Sequence, residues 1–275
     1  YLRISVKRES FNHADRPKGV FSNYLHENIS INDQLTVKAP TGSFTFDSSV
    51  KLPAILFAAG VGITPMISML RHAIIEAIKT RYLRDIILIV VARNDEERAF
   101  YDEVEILVES SGGKINVYWF LTQPEENISI KRDYIKGRPS RKLIAPFIQY
   151  PESEAFLCGP GNFMQMGYDI LRSLDLEDEN IHAESFGPSA LKRDNRQDAN
   201  EFAKQALITI KNKRGDIITE QQWTENDGSL LEFTEAHGIS PPYGCRSGQC
   251  GACKSELTEG KIHHYLESSV ELDKY

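Results

Sequence analysis

Leu2, Ile4 and Val6 alternate with Arg3, Ser5 and Lys7, and Leu35, Val37 and Ala39 alternate with Thr36 and Lys38. A period of two is that of a strand with one buried face, and Phe44 and Phe46 continue it. With turn residues at Asn32-Asp33 and Pro40-Thr41-Gly42, residues 1–50 are predicted to form part of an antiparallel barrel or sandwich. From Ala54 the texture changes to continuous apolar runs: Ala54 to Ala59, Ile86 to Ala92, Ile115 to Leu121, Ala155 to Cys158 and Ile181 to Phe186. Runs apolar on both faces suit buried parallel strands separated by helices. Between the first two, Met66, Leu70, Ala73, Ile74, Ala77 and Ile78 recur at helical spacing, which predicts a helix with Thr64 as its N-cap and Pro65 at its first position.

Leu52 to Leu70 is a 19-residue stretch without a charge, long enough on count alone to cross a membrane. Gly60, Gly62 and Pro65 divide it into a strand and the start of an amphipathic helix, so no membrane span is expected. Residues 188–205 are polar and rich in charge, which predicts a linker. No repeat or low-complexity tract is present. The 275 residues therefore divide into residues 1–50, 51–187 and 206–275 around that linker.

Net charge is −7, from 32 basic and 39 acidic side chains. That balance disfavours a nucleic-acid partner, whose binding depends on neutralised phosphates. Three of the four cysteines crowd into one loop, so a disulfide framework is excluded and a reducing cytoplasm is the expected compartment.

Those three carry the strongest chemical signal. Cys245, Cys250 and Cys253 stand at C-x4-C-x2-C spacing, that of the first three ligands of a plant-type [2Fe-2S] cluster. Gly244, Gly248, Gly251 and Ala252 let a tight loop turn its backbone N–H groups toward cluster sulfurs. A zinc site with His263 or His264 as fourth ligand is the alternative for the same thiolates. Residues from Ala206 to Tyr265 resemble a plant-type ferredoxin domain, with Gly228-Ser229-Leu230-Leu231-Glu232 and Gly238-Ile239-Ser240 leading into the loop. The resemblance implies a fourth cysteine downstream, yet none follows Cys253. Because the chain also starts within an alternating pattern, it is expected to be a piece of a longer protein, cut at both ends.

Gly60-Val61-Gly62-Ile63-Thr64-Pro65 lies between a strand and a helix, where missing side chains let a phosphate reach backbone N–H groups. A structural turn explains G-x-G alone about as well. Phe156-Leu157-Cys158-Gly159-Pro160 ends another strand, and ligands of such sheets bind at the carboxyl ends of strands. Together these resemble the ferredoxin-NADP reductase superfamily over most of residues 1–187. The resemblance implies that Gly60, Gly62, Thr64 and Pro65, with Gly159 and Pro160, bind the nicotinamide nucleotide, and that Cys158 lies at the hydride-transfer point. By itself Cys158 would read as a small buried strand residue. In Ala183-Glu184-Ser185-Phe186-Gly187 the resemblance implies an aromatic cover for the flavin in Phe186 and an acid near the reacting atoms in Glu184. Arg93-Asn94-Asp95-Glu96-Glu97-Arg98 mixes cations that would hold a 2'-phosphate with acids that would repel it. Arg93 is thus a nucleotide candidate, Tyr101 an adenine platform, and NADH slightly favoured over NADPH.

Tyr1 to Arg8 and Gly19-Val20-Phe21-Ser22-Asn23-Tyr24-Leu25 resemble the second half of the superfamily's flavin barrel. There Gly-x-x-Ser opens a short helix facing flavin phosphate, which makes Gly19, Val20, Phe21 and Ser22 the flavin candidates. A glycine turn with a cap is the alternative. The stretch through His26 resembles FAD-binding members, whereas the module order and the Glu-Ser-Phe-Gly junction resemble the phthalate dioxygenase reductase branch, which uses FMN. The expected fold is thus multidomain: a partial antiparallel β-barrel flavin domain, a parallel-sheet α/β nucleotide domain, and an α+β (β-grasp) ferredoxin domain. The expected function is a reductase that carries electrons from NAD(P)H through flavin to a [2Fe-2S] cluster and on to a redox partner such as an oxygenase or demethylase component. A heme, hybrid-cluster or fused upstream acceptor is one alternative, and a zinc-bound or non-catalytic interaction module is another.

Overall fold

A computed structural model describes residues 3–9, 19–37, 42, 44–124, 134–148, 151–186, 191, 193, 203–242 and 251–262. The chain divides into two compact units, Tyr1–Phe186 and Gly187–Tyr275.

In the first unit six strands form one parallel sheet: β1 (Ala54–Ala59), β2 (Ile86–Ala92), β3 (Ile115–Leu121), β4 (Ile135–Lys136), β5 (Glu154–Cys158) and β6 (Ile181–Glu184), in the order β4-β3-β2-β1-β5-β6. The first three coincide with the apolar runs of the sequence: β1 and β2 are covered on both faces, and β3 is covered over its second half, with Asn116 exposed near its start. All six residues of β1 are buried. β6 stops at Glu184, short of the expected Phe186, because it pairs only with β5, whose last partner to it is Cys158. The two-residue β4 carries no period to read and was not foreseen.

Helix α1 (Val20–Asn28) precedes the sheet, and α2 (Ile63–Thr80), α3 (Tyr101–Ser110), α4 (Arg141–Ile144) and α5 (Gly161–Ser173) connect its strands. Ile63, Met66, Ile67, Met69, Leu70 and Ala73 of α2 join the core with β1, β2 and Phe156. With the turn before it, α2 is the single helix among the described residues long and apolar enough to cross a membrane. Its buried face and its outward Arg71, His72, Glu76 and Lys79 make it a core helix. Thr64 is not the N-cap. Residues Gly60–Gly62 form a 3-10 turn that runs straight into α2, Gly62 caps it, and the Thr64 hydroxyl donates to the Val61 carbonyl at 3.0 Å. Pro65 accordingly occupies the third helical position, still within the first turn, where its missing N–H has no helical acceptor.

The alternating segments of residues 3–9, 34–37 and 44–47 carry no ladder pairing among the described residues. A strand exists only with a partner, and side-chain alternation alone does not supply one.

In the second unit β7 (Gln205–Lys211) pairs antiparallel with β8 (Ile217–Thr224), so Gln205 is already strand rather than linker. Helix α6 (Leu230–Ala236) follows. Its N-terminus is a capping box: the Ser229 Oγ accepts from Glu232 N at 3.3 Å, and Ser229 N donates to Glu232 Oε2 at 2.8 Å. The Gly-Ser-Leu-Leu-Glu run is therefore a helix start, and Phe233 is buried beneath it.

Candidate functional site

Strand order turns at β1. From it the chain proceeds outward through β2, β3 and β4 on one side, then returns to add β5 and β6 on the other. The carboxyl ends of β1 and β5 thus flank a switch point, the place where open α/β sheets receive ligands. Gly60, Gly62, Thr64 and Pro65 follow β1, Cys158, Gly159 and Pro160 end β5, and Glu184 ends β6, so the fold brings eight of the candidate residues to one sheet edge.

Two glycines there serve different ends. Gly60 has φ +57° and open space around its α-carbon, so its need is conformational. Gly62 has an ordinary helical backbone, but a β-carbon on it would lie 2.1 Å from the Cys158 carbonyl oxygen and 2.4 Å from the Cys158 carbonyl carbon. The β1 turn and the end of β5 are in backbone contact. Helices α2 and α5 both begin at this edge, with no acidic side chain in either first turn, which leaves their positive ends open to an anion. Pro160 caps α5, its carbonyl accepting from Phe163 N at 2.9 Å and Met164 N at 3.0 Å.

Cys158 is fully buried and pairs in register with Ala58 on one side and Glu184 on the other. Burial, and then the nearby Glu184 carboxylate, push its thiol up to about 12, so it is a neutral S–H across the physiological range. It is a neutral packing group there, and not a thiolate nucleophile. Burial also raises the Glu184 carboxyl above the usual carboxylate range. The folded state then holds that proton more tightly than the unfolded chain, a contribution fully present in acid and lost as pH rises through the raised value. In Glu184→Gln this decline should disappear, so the melting temperature of the variant should gain on the parent as pH rises above the ordinary glutamate range. Parallel pH profiles for the two would contradict a perturbed Glu184.

Phe186 lies just past β6 with 56% of its surface exposed. At the start of α1, Gly19 is the N-cap, Val20 and Phe21 project outward, and the Ser22 hydroxyl donates to the Gly19 carbonyl while accepting from Glu9 N, each at 3.3 Å. The Gly-x-x-Ser run therefore does open a helix. Asn23, which sequence reasoning passed over, is the buried member: its amide donates to the carbonyls of Glu9 and Gly19 at 2.9 and 2.8 Å and accepts from Arg8 Nε at 2.8 Å.

Past β2, Arg93 is exposed and pairs with Glu97 at 3.5 Å. Arg98 is buried. Its Nε lies 3.0 Å from Asp95 Oδ1, too far off line for a hydrogen bond, and its Cζ sits 5.5 Å from the rings of Tyr101, Trp119 and Tyr134. Tyr101 also packs on Trp119 at 5.5 Å. Burial of this cation had no sequence signal, since Asp95 to Arg98 reads as a solvated run.

Of the cluster candidates, Cys245 and Cys250 lie outside the described residues, as do the zinc alternatives His263 and His264. Cys253 is a half-buried free thiol in a tight turn closed by Lys254 N donating to the Gly251 carbonyl at 3.1 Å, with Gly251 at φ +67°. A left-handed glycine two residues before a thiol is the bend a loop needs to wrap a cluster, and thiolate is the donor iron–sulfur clusters take, so the residues present fit the group.

Residues 56–168 match the oxidoreductase NAD-binding domain family, and residues 217–274 match the 2Fe-2S iron-sulfur cluster binding domain family. A flavohemoprotein of Bacillus anthracis is 36% identical over 191 residues, covering 69% of this chain and 46% of its own length. The ferredoxin reductase component of 3-ketosteroid-9-alpha-monooxygenase from Rhodococcus rhodochrous is 30% identical over 273 residues, covering 94% of this chain and 68% of that protein. The chain thus spans about half the length of the flavohemoproteins and two thirds of the steroid monooxygenase component. Among solved structures, the flavohem-like FAD/NAD binding domain of nitric oxide dioxygenase from Vibrio cholerae superposes with a TM-score of 0.56 at 27% identity, over 66% of this chain and 70% of that one. An all-but-complete alignment with one relative, running through both matched domains, decides the assignment: the chain belongs to the family of ferredoxin-NADP reductase-like oxidoreductases that join an NAD-binding domain to a C-terminal 2Fe-2S ferredoxin domain.

Proposed function

We propose that this chain is the electron-delivering part of an NADH-dependent reductase that serves an oxygenase. When bound, the flavin accepts hydride and the [2Fe-2S] cluster passes single electrons, which is the chemistry the protein itself lacks. The chain's own residues place and insulate these groups. Gly60 and Gly62, with the open ends of α2 and α5, receive the dinucleotide phosphates through backbone N–H groups. Cys158 borders the nicotinamide as a neutral, buried thiol that excludes water, and the half-buried Glu184 beside it holds its proton more tightly than an ordinary carboxyl. Gly19 to Ser22 hold flavin phosphate, Phe186 covers the ring, and Cys245, Cys250 and Cys253 hold the cluster. The chain then reads as four segments, with residues 1–50 as flavin segment, 51–187 as nucleotide domain, 188–204 as linker and 205–275 as ferredoxin domain, the last beginning one residue earlier than the sequence alone indicates because Gln205 opens β7.

The carrying observation is the backbone contact of Gly62 with Cys158 at a parallel-sheet switch point, in a chain whose later domain matches the 2Fe-2S family. FAD is the flavin favoured, supported by the FAD/NAD-binding relative of known structure. An oxygenase partner is supported by the steroid monooxygenase components, which align along nearly the whole chain, and a cytoplasmic setting by cysteines used as cluster ligands rather than as a disulfide framework. The test is spectroscopic and steady-state: complete protein should show flavin and iron–sulfur absorbance and reduce a cluster-level acceptor with NADH, whereas a colourless zinc protein would refute it.

NADH is preferred over NADPH because neither cation after β2 is free. Arg93 is held by Glu97 and Arg98 is buried with Asp95. Glu97→Gln should lower the KM for NADPH by about twofold to fivefold, the size of an exposed charge interaction, and leave that for NADH unchanged. An unaltered KM for NADPH would mean that this run does not face the adenosine.

A further inference from the structure

One face of β5 carries Glu154, Phe156 and Cys158 in sequence, since alternate residues of a strand share a side. Their partners on β6 are His182, opposite Phe156, and Glu184, opposite Cys158. The residues leading into β1 cover this column from below. Phe44 and Phe46 meet Phe156 at 5.8 and 5.5 Å between ring centroids, and His182 meets it at 5.0 Å.

Beneath the aromatic layer lies Arg84, 1% exposed. Its Nε donates to the Leu52 carbonyl at 2.8 Å, its Nη1 to the Asp47 carbonyl at 2.9 Å, and its Nη2 to Glu154 Oε2 at 2.8 Å and the Pro53 carbonyl at 3.4 Å. The guanidinium also lies 4.8 Å from the Phe46 ring, and Glu154 is 3.7 Å from His182. A buried cation is costly unless paired and fully bonded, and here one side chain spends its donors on three carbonyls of a single connecting segment. That segment joins the flavin candidates at Gly19–Ser22 to the nucleotide turn at Gly60–Gly62.

We propose that Arg84 is a positioning residue for hydride transfer: it clamps residues 47–53 to the base of the Cys158 and Glu184 column, so that the flavin and nucleotide sites move as one body. The inference rests on the reductase reading above. Hydride transfer depends steeply on approach, and a misplacement of about 1 Å costs on the order of a hundredfold in rate. Binding of NADH uses the β1 turn, which Arg84 does not touch.

The experiment is stopped-flow reduction of bound flavin by NADH in complete protein, comparing parent, Arg84→Lys and Glu154→Gln. The last removes the charge that ties Arg84 to β5 while leaving its three carbonyl acceptors, and covers the case in which the first variant does not fold. The expected result is a saturating flavin-reduction rate lowered about tenfold or more, an NADH Kd within about twofold of the parent, and unchanged electron delivery after chemical reduction. Variants that melt earlier yet, while folded, reduce flavin at the parent rate would make Arg84 a packing residue and overturn the clamp. Failure of the parent itself to reduce flavin with NADH would instead refute the reductase reading, and the clamp with it.

Discussion

Gly62→Ala is expected to abolish NADH-dependent turnover and to destabilise the first unit. The added methyl carbon would stand 2.1 Å from the Cys158 oxygen and 2.8 Å from Gly159 N, and both obstacles are main chain. No rotamer change relieves such a contact, so either α2 withdraws or β5 bends. Overpacking of this kind costs about 3 kcal/mol, which for a unit of this size lowers the melting temperature by roughly 6–12 °C. Either movement also opens the switch point, and NADH-dependent flavin reduction should fall to a hundredth of the parent rate or about that. Gly60→Ala is the internal control. It meets nothing within 4 Å and must only hold φ +57°, at a cost of about 1 kcal/mol. Equal damage from the two substitutions, read by thermal melts and single-turnover reduction, would show that close backbone approach is not what Gly62 provides.

Cys250→Ser is expected to separate two activities that the parent performs together. Iron–sulfur clusters are held by thiolate, and an alkoxide is a poor substitute, so loss of this ligand should empty or cripple the cluster. Electron delivery to a protein acceptor that draws on the cluster should be abolished. NADH oxidation by ferricyanide, which takes electrons at the flavin, should stay largely intact, because the nucleotide sheet and the cluster loop belong to different compact units. Loss of both activities in a variant that still binds flavin would contradict the modular route.

Much of the nucleotide domain was legible in the sequence, for a physical reason. A parallel strand covered on both faces is nearly continuous in apolar residues, so Ala54–Ala59 and Ile86–Ala92 mark their own ends, and Ile115–Leu121 does so with Asn116 as its one exposed position. The candidate residues were legible where their type is forced by the backbone, as at Gly60 and Gly62. What escaped notice depended on tertiary partners. Thr64 has a capping residue's composition, yet a 3-10 turn ahead of it supplies the cap at Gly62. Arg84 and Arg98 sit in charged runs that look solvated, and only the fold shows that one is spent on carbonyls of a connecting segment and the other is ringed by aromatics. The alternation in residues 1–50 is a property of side chains, whereas a ladder requires a second strand.

The most direct test is an anaerobic titration of complete protein with NADH alone, followed by visible absorbance and low-temperature electron paramagnetic resonance on the same samples. Bleaching of the flavin band together with growth of a rhombic reduced [2Fe-2S] signal is the expected result. A flavin that bleaches with no such signal, or a preparation without iron and acid-labile sulfide, would contradict electron transfer from nucleotide to cluster.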